Sequence, residues 1–100
     1  MQAREFFDGL ASRVDESKIQ GMTNSYLFDI DGEGQWVVVV ADGKLSVSEG
    51  GGDADATIST TAEVFDRISS GEQNPTTAYM TGKLKVKGDM GAAMKLQKLF

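Results

Sequence analysis

One acidic turn carries carboxylates at a spacing that could bind calcium. Asp29, Asp31 and Glu33 alternate with other residues, and Gly34 stands at the sixth position, where a calcium loop needs a glycine. The twelfth position requires a bidentate carboxylate, and in this chain it is Val40. The residues after Gly34 also have the pattern of a strand, so we interpret the segment as an acidic turn and predict no metal site.

A second pair of carboxylates, Asp53 and Asp55, could act as a general acid and a general base. They follow the glycine run at residues 50 to 52, which matches neither a dinucleotide fingerprint nor a phosphate loop. The chain contains no histidine and no cysteine, which removes the commonest general base and the thiol nucleophile. We therefore predict no catalytic residue and no cofactor, and we do not expect an enzyme.

Lysines are concentrated at the C-terminal end of a chain that is acidic overall. Ten basic side chains against 15 acidic ones give a net charge of −5, which argues against a nucleic-acid partner. Residues 83 to 100 carry five lysines and one aspartate, and this basic end could contact an anionic membrane surface transiently. Lys83, Lys85 and Lys87 share one face of a predicted strand and could hold phosphates. The commoner interpretations are a solvated face and a basic strand edge that discourages pairing.

The first half of the chain is predicted to form a helix and three strands. Apolar residues at helical spacing indicate a helix over residues 3 to 14. Strands at residues 25 to 30 and 35 to 41 follow, and Asp42-Gly43 predicts a hairpin into a third strand, giving an antiparallel meander. Because the strand at residues 35 to 41 is apolar on both faces, we expect it to be buried on both sides and therefore central, not at an edge of the sheet.

Capping patterns mark the helices of the second half. After a short strand at residues 55 to 59, Thr60 and Glu63 have the spacing of a capping box that opens a helix. Asn74 followed by Pro75 opens the next helix. Gly82 is predicted to end that helix, ahead of a strand at residues 83 to 87 and a final helix that Asp89 caps.

The final helix is apolar over most of its circumference. Met90, Ala93 and Met94 form one row, and a second row consists of Ala92, Leu96, Leu99 and Phe100. Such a helix must be covered on more than one side, by the core, a partner, a membrane or an apolar ligand. Methionines at helical spacing more often belong to a core than to a pocket, so the pattern by itself establishes no binding site.

These elements predict one α+β domain over residues 1 to 100, with a single five-stranded, mostly antiparallel sheet and helices packed on one face. Apolar residues make up 40% of the chain, which is enough for a small core. No apolar stretch approaches the length of a membrane span, and the N-terminal residues lack the apolar segment of a signal peptide. We therefore expect a cytoplasmic location.

Several segments of this sequence resemble a known family across nearly the whole chain. They are Tyr26-Leu-Phe-Asp-Ile30, Gly34-Gln-Trp-Val37, Asp42-Gly-Lys44, Asp55-Ala-Thr-Ile58 and, most specific, residues 78 to 96, Ala-Tyr-Met-Thr-Gly-Lys-Leu-Lys-Val-Lys-Gly-Asp-Met-Gly-Ala-Ala-Met-Lys-Leu. On these residues the chain resembles the sterol carrier protein type 2 (sterol-binding) domain family. The chain stops at Phe100 without the C-terminal extension and targeting tripeptide of eukaryotic members, so the resemblance implies a stand-alone prokaryotic-type member.

The resemblance implies a five-stranded sheet covered by helices, with an apolar tunnel between them. It implies binding, and transfer, of fatty acids, fatty acyl-CoA, sterol-like or isoprenoid lipids without chemistry. Gln97 could donate a hydrogen bond to a lipid head group, although simple exposure is an equal interpretation. The residues that the resemblance implies as lipid-binding are Trp36, Val38, Phe65, Ile68, Tyr79, Met80, Leu84, Met90, Met94, Gln97, Leu99 and Phe100.

Two other functions remain open from the sequence. An interaction protein could use the apolar C-terminal helix as an interface with a partner or a second copy. An accessory protein could use the same helix to present a lipid-like substrate to an enzyme. The sequence leaves the oligomeric state open.

Overall fold

A computed structural model describes residues 3–14 and 16–95 of the chain. Its helices and strands follow one another in the predicted order, which is a helix, four strands, two helices, a strand and a helix. In chain order they are α1 (Ala3–Arg13), a 3₁₀ turn (Glu16–Lys18), β1 (Asn24–Asp31), β2 (Gly34–Ala41), β3 (Lys44–Glu49), β4 (Ala56–Thr61), α2 (Ala62–Ser69), α3 (Pro75–Met80), β5 (Leu84–Gly88) and α4 (Met90–Met94).

The five strands form one mixed sheet in the order β3-β2-β1-β4-β5. Neighbouring strands are antiparallel except β1 and β4, which are parallel. This confirms the predicted α+β class, the five strands, the mostly antiparallel pairing and the meander of β1, β2 and β3. The strand at residues 35 to 41 is β2, which lies between β3 and β1, so the prediction that it is not at an edge of the sheet is confirmed, although the middle strand of the five is β1.

A cluster of aromatic rings fills the space between the sheet and the first two helices. The ring of Phe7 on α1 lies 4.9 Å from that of Trp36, 5.1 Å from that of Phe28 and 5.3 Å from that of Phe65, measured between centroids. All four side chains are buried. The strands bury the same face through alternate residues, which include Tyr26, Phe28, Ile30, Trp36, Val38, Val40, Ala56, Ile58 and Leu84. The core is therefore a single layer between one sheet face and the helices.

The opposite face of the sheet is only partly covered. Val39 is 40% exposed and Val37 is half-buried, whereas Val38 and Val40 are fully buried. The prediction that this strand is buried on both sides is therefore wrong. Apolar residues on both faces of a strand usually indicate two covering layers, but among the described residues the outer cover of β2 is one short segment of chain.

That segment is the glycine run, which crosses the outer face on its way from β3 to β4. The amide of Gly50 donates to the carbonyl of Gln35 at 2.8 Å. A Cβ atom on Gly51 would lie 2.8 Å from Oε1 of Gln35, and one on Gly52 would lie 3.5 Å from Cγ2 of Val37. Glycine lets the backbone pass this close, so the run predicted as a flexible connection covers part of the strand beneath it.

Helix α2 begins one residue later than the capping pattern predicted. Thr61 is the N-cap, and its side chain accepts a hydrogen bond from the amide of Val64 at 3.2 Å. Thr60 lies instead at the end of β4, where its hydroxyl donates to the carbonyl of Lys83 at 2.9 Å. Glu63 does not close a capping box with Thr60. It forms a 2.6 Å ion pair with Arg67 one helical turn away.

Candidate apolar groove

An apolar groove lies where α3, β5 and α4 meet. Its volume is about 120 Å³, and one of its three elements, β5, is an edge strand of the sheet. The residues that line it are Pro75, Thr76, Tyr79, Leu84, Val86, Met90, Ala93 and Met94. Each of the three elements supplies at least two of these residues, so the groove depends on how the chain turns between them.

Helix α3 forms the first wall and has strong signals at both ends. The side chain of Asn74 accepts from the amide of Thr76 at 2.8 Å, and Pro75 occupies the first turn, as predicted. At the other end Gly82 has a φ of 79°, and the amide of Lys83 donates to the carbonyl of Ala78 at 2.9 Å. This is a Schellman ending, which confirms the predicted role of Gly82 and turns the chain into β5.

Strand β5 forms the floor of the groove. Leu84 pairs with Thr60 of β4 and is buried, and Val86 pairs with Ile58 and is half-buried. Lys85 and Lys87 point to the opposite face and are exposed, as their alternation with the apolar residues predicted. Because β5 is an edge strand, nothing in the sheet closes the groove on that side.

Gly88 and Asp89 turn the chain from the floor into α4, the second wall. Gly88 has a φ of 99°, and a Cβ atom there would lie 2.5 Å from the carbonyl oxygen of Asp55. The amide of Asp89 donates to that same oxygen at 2.8 Å. The carboxylate of Asp89 accepts from the amide of Ala92 at 3.2 Å, which confirms the predicted cap.

Tyr26 ties α4 to the centre of the sheet. Its hydroxyl donates to the carbonyl oxygen of Ala92 at 2.5 Å, and both residues are buried. Burial raises the pKa of Tyr26 from its ordinary value of 10 to about 12, and the negative charges of Asp55 and Asp89 act in the same direction. The hydroxyl therefore stays protonated and keeps donating throughout the physiological pH range.

Four of the residues predicted to bind lipid line this groove: Tyr79, Leu84, Met90 and Met94. Four others, Trp36, Val38, Phe65 and Ile68, are buried in the core. Met80 is 78% exposed and does not line the groove. Gln97, Leu99 and Phe100 lie outside the described residues. The lipid-binding role of all twelve stays a prediction.

The groove also contains four residues that were not predicted, which are Pro75, Thr76, Val86 and Ala93. Two of them had a signal in the sequence. Val86 alternates with the lysines on the same face as Leu84, and Ala93 belongs to the row of Met90 and Met94. Pro75 was recognised only as part of the helix start, and Thr76 was not identified from the sequence.

The side chains of the groove suit binding better than catalysis. None of the eight described lining residues carries a carboxylate, an amine or an imidazole, and the Tyr79 phenol is the one ionisable group among those eight. Over residues 3–14 and 16–95 no group of three or more His, Cys, Asp or Glu side chains could hold a metal ion. Within the same residues, no helix is both long and apolar enough to cross a membrane.

Comparisons with known proteins identify the class to which this fold belongs. Residues 5–100 match the SCP-2 sterol transfer family, so the chain belongs to that family, whose general activity is lipid binding or transfer. It is 37% identical over 100 residues to hydroxysteroid dehydrogenase-like protein 2 of Xenopus tropicalis, an alignment that covers 96% of this chain and 24% of the relative. The chain thus spans about a quarter of the length of the first curated relatives it matches.

Solved structures agree with this assignment. The solution structure of the sterol carrier protein domain 2 of Helicoverpa armigera is similar at a TM-score of 0.73 and 31% identity, covering 95% of this chain and 80% of that one. The stereoselective inverting sec-alkylsulfatase Pisa1 from Pseudomonas sp. is similar at a TM-score of 0.82 and 25% identity, covering 99% of this chain and 16% of that one. The same fold therefore occurs within a much longer chain.

A substitution at Gly88 tests the turn that places α4. In Gly88→Ala the new methyl group meets the backbone oxygen of Asp55, and the positive φ adds strain, so we expect the free energy of unfolding to fall by about 3 kcal/mol. Gly71→Ala is the matched control, since Gly71 has a φ of 87° and no atom within 4 Å of an added Cβ. Urea denaturation should show a loss of only about 1 kcal/mol for the control. Equal losses would contradict the close approach.

A titration tests the environment of Tyr26. The chain has two tyrosines, so in Tyr79→Phe the absorbance at 295 nm reports Tyr26 alone. We expect a midpoint near 12 in the folded protein. Because folding raises this pKa, the contribution of Tyr26 to stability is complete below pH 10 and is lost as the pH rises from 10 to about 12. A midpoint near 10 with an unchanged near-ultraviolet circular dichroism spectrum would contradict a buried, hydrogen-bonded hydroxyl.

Proposed function

We propose that this chain is a non-enzymatic lipid-binding domain that holds an apolar chain in the groove between α3, β5 and α4. The single observation that carries the proposal is the groove itself, an apolar recess with Met90 and Met94 along one wall. Methionine side chains are unbranched and adapt to ligands of different shape. The absence of charged side chains in the lining favours a hydrocarbon chain over a polar ligand.

The size of the groove limits what it holds in its present shape. Its volume of about 120 Å³ is close to that of a dry cavity of about 150 Å³ that accepts benzene. It therefore has room for a segment of an acyl or isoprenoid chain and not for a whole sterol. Roughly six methylenes would contribute about 5 kcal/mol of transfer free energy. Association costs about 4 to 15 kcal/mol, so tight binding requires the groove to enlarge.

Helix α4 is the wall that can move to enlarge it. The helix has five described residues, and the Asp89 carboxylate and the Tyr26 hydroxyl both bond it at Ala92, two residues before its last residue, Met94. Moving its far end outward would extend the groove toward the aromatic core, where Trp36 and Phe65 were predicted to contact lipid. On this proposal, the tunnel that the family resemblance implies forms when a ligand binds.

Two tryptophan substitutions test the groove. Met94→Trp should fill it and weaken binding of a fluorescent fatty acid at least about tenfold, which corresponds to about 1.4 kcal/mol. Met80→Trp is the matched control, because Met80 and Met94 end their helices and expose 78% and 77% of their surfaces, yet only Met94 lines the groove. The affinity of the control should stay within about twofold of wild type.

Two results would count against the groove as the binding site. One is equal affinity of Met94→Trp and wild type. The other is equal weakening by both substitutions, which would indicate a general effect of surface tryptophans. Circular dichroism of each variant should match wild type, because both positions are exposed.

A second candidate function is the presentation of a lipid-like substrate to an enzyme. The observation that favours it is that the chain matches one part of longer proteins that are named as a dehydrogenase-like protein and an alkylsulfatase. A carrier speeds the transfer of a fluorescent lipid between donor and acceptor vesicles by itself. A presenting domain binds the lipid and leaves that transfer rate unchanged until its enzyme is supplied.

A further inference from the structure

All sulfur atoms of this chain belong to methionine side chains. The chain has five methionines and no cysteine. Met90 and Met94 line the groove and expose 42% and 77% of their surfaces. Met80 is about as exposed as Met94 but lies outside the groove, and Met22 is buried. The described methionines therefore differ in two properties, exposure and contact with the groove, and an oxidant can report each of them.

Exposed methionine sulfurs react with peroxides. In the reaction with hydrogen peroxide, the sulfur forms a bond to one peroxide oxygen as the oxygen–oxygen bond breaks. The proton on the transferred oxygen moves to the leaving hydroxide, so the products are methionine sulfoxide and water. The sulfur is oxidised and the peroxide is reduced. Because the chain has no thiol to compete and Trp36, its single tryptophan, is buried, peroxide should act first on the exposed methionines.

We propose that Met90 and Met94 form a site of reversible oxidation, at which a peroxide lowers the affinity of the groove for its ligand. This inference rests on the proposed function, because it concerns the same groove. Oxidation converts the flexible, apolar side chain of methionine into a polar one. A sulfoxide that stays in the groove loses its hydration when a hydrocarbon chain binds, which is unfavourable. A sulfoxide that turns outward removes part of the apolar wall.

The groove offers a sulfoxide oxygen few hydrogen-bond donors. Among the eight described lining residues, Thr76 and Tyr79 alone carry a side-chain donor, and both belong to α3, the other wall. Water outside the groove donates freely. The oxidised side chains are therefore more stable facing water than facing an apolar ligand, and methionine sulfoxide reductases can reach them there to restore the thioether.

Peptide mass spectrometry of the full chain after hydrogen peroxide treatment tests where oxidation occurs. Met80 and Met94 should oxidise first, Met90 more slowly and Met22 last, following their exposure. A saturating fatty acid should slow the oxidation of Met90 and Met94 severalfold and leave that of Met80 unchanged, because only the first two line the groove. Met80 is thus an internal control for the supply of peroxide.

The affinity for a fluorescent fatty acid, measured before and after oxidation, tests the consequence. Catalase removes the peroxide before each measurement. Oxidised wild type should bind at least about fivefold more weakly, and treatment with methionine sulfoxide reductases and a thiol should restore its affinity. Met80→Leu should lose as much affinity on oxidation as wild type does, because it keeps both methionines of the groove.

The resistant variant is Met90→Leu/Met94→Leu, since leucine does not react with peroxide. It is compared with itself, and its affinity after peroxide treatment should stay within about twofold of its own affinity before treatment. If this variant binds too weakly to measure, the reductases decide the question in oxidised Met80→Leu, whose groove sequence is intact. Its affinity should return with the thioethers of Met90 and Met94.

Three outcomes would overturn the oxidation site alone. Wild type with Met90 and Met94 fully oxidised could bind fatty acid as tightly as before, which would leave the groove proposal standing. Met90→Leu/Met94→Leu could lose as much affinity to peroxide as wild type does, which would place the effect elsewhere in the chain. Circular dichroism could show that oxidation unfolds the protein, which would indicate general damage. If unoxidised wild type takes up no fatty acid, the proposed function itself fails, and this inference fails with it.

Discussion

The hydrogen bond from the Tyr26 hydroxyl to the carbonyl of Ala92 joins the central strand to the helix that forms the groove. Both groups are buried, so breaking the bond would leave a polar group without a partner at a cost of about 1 to 3 kcal/mol. The Asp89 cap and the close approach of Gly88 to Asp55 fix the other end of the same turn. The position of α4, and with it the existence of a groove, depends on these three contacts.

The groove lies under α3 and α4, beside the part of the covered face that aromatic side chains fill. Phe7, Phe28, Trp36 and Phe65 pack there at centroid distances of about 5 to 6.4 Å. The helices α3 and α4 contribute small buried residues instead, namely Ala78 and Ala92. Because Ala78 and Ala92 fill little space, an opening remains between these two short helices and the edge strand β5. The methionines of the two helices line this opening or lie around it.

Local signals predicted the parts of this structure that local interactions determine. Asn74, Gly82 and Asp89 each act on the backbone within a few residues, and all three were identified from the sequence. The helix start at Thr61 was missed by one residue because two adjacent threonines can both cap, and the choice depends on the contact of Thr60 with Lys83 across the sheet. The strand order and the crossing by the glycine run are non-local, so no pattern within one segment could supply them.

The same distinction between local and non-local interactions applies to the residues of the groove. Leu84, Met90 and Met94 were among the residues that the family resemblance implied, and they line the groove. Periodicity alone placed Leu84 on one face with Val86, and Met90 in one row with Met94, without establishing a site. Met80 continues the methionine pattern, yet it falls on the exposed side of α3, which depends on how that helix packs. Trp36 and Phe65 were assigned by the same resemblance and are buried in the core. On the proposed function, they contact a ligand only when α4 moves, and sequence patterns do not report such a movement.

The most direct test of lipid binding in this groove follows the methionine methyl groups by nuclear magnetic resonance. The chain has five methionines, so a sample labelled at the ε-methyl carbon gives few signals to assign. Titration with a saturated fatty acid should shift the signals of Met90 and Met94 and saturate at one ligand per chain. The signals of Met80, outside the groove, and of buried Met22 should change little. Unshifted Met90 and Met94 signals at saturating ligand would contradict the account.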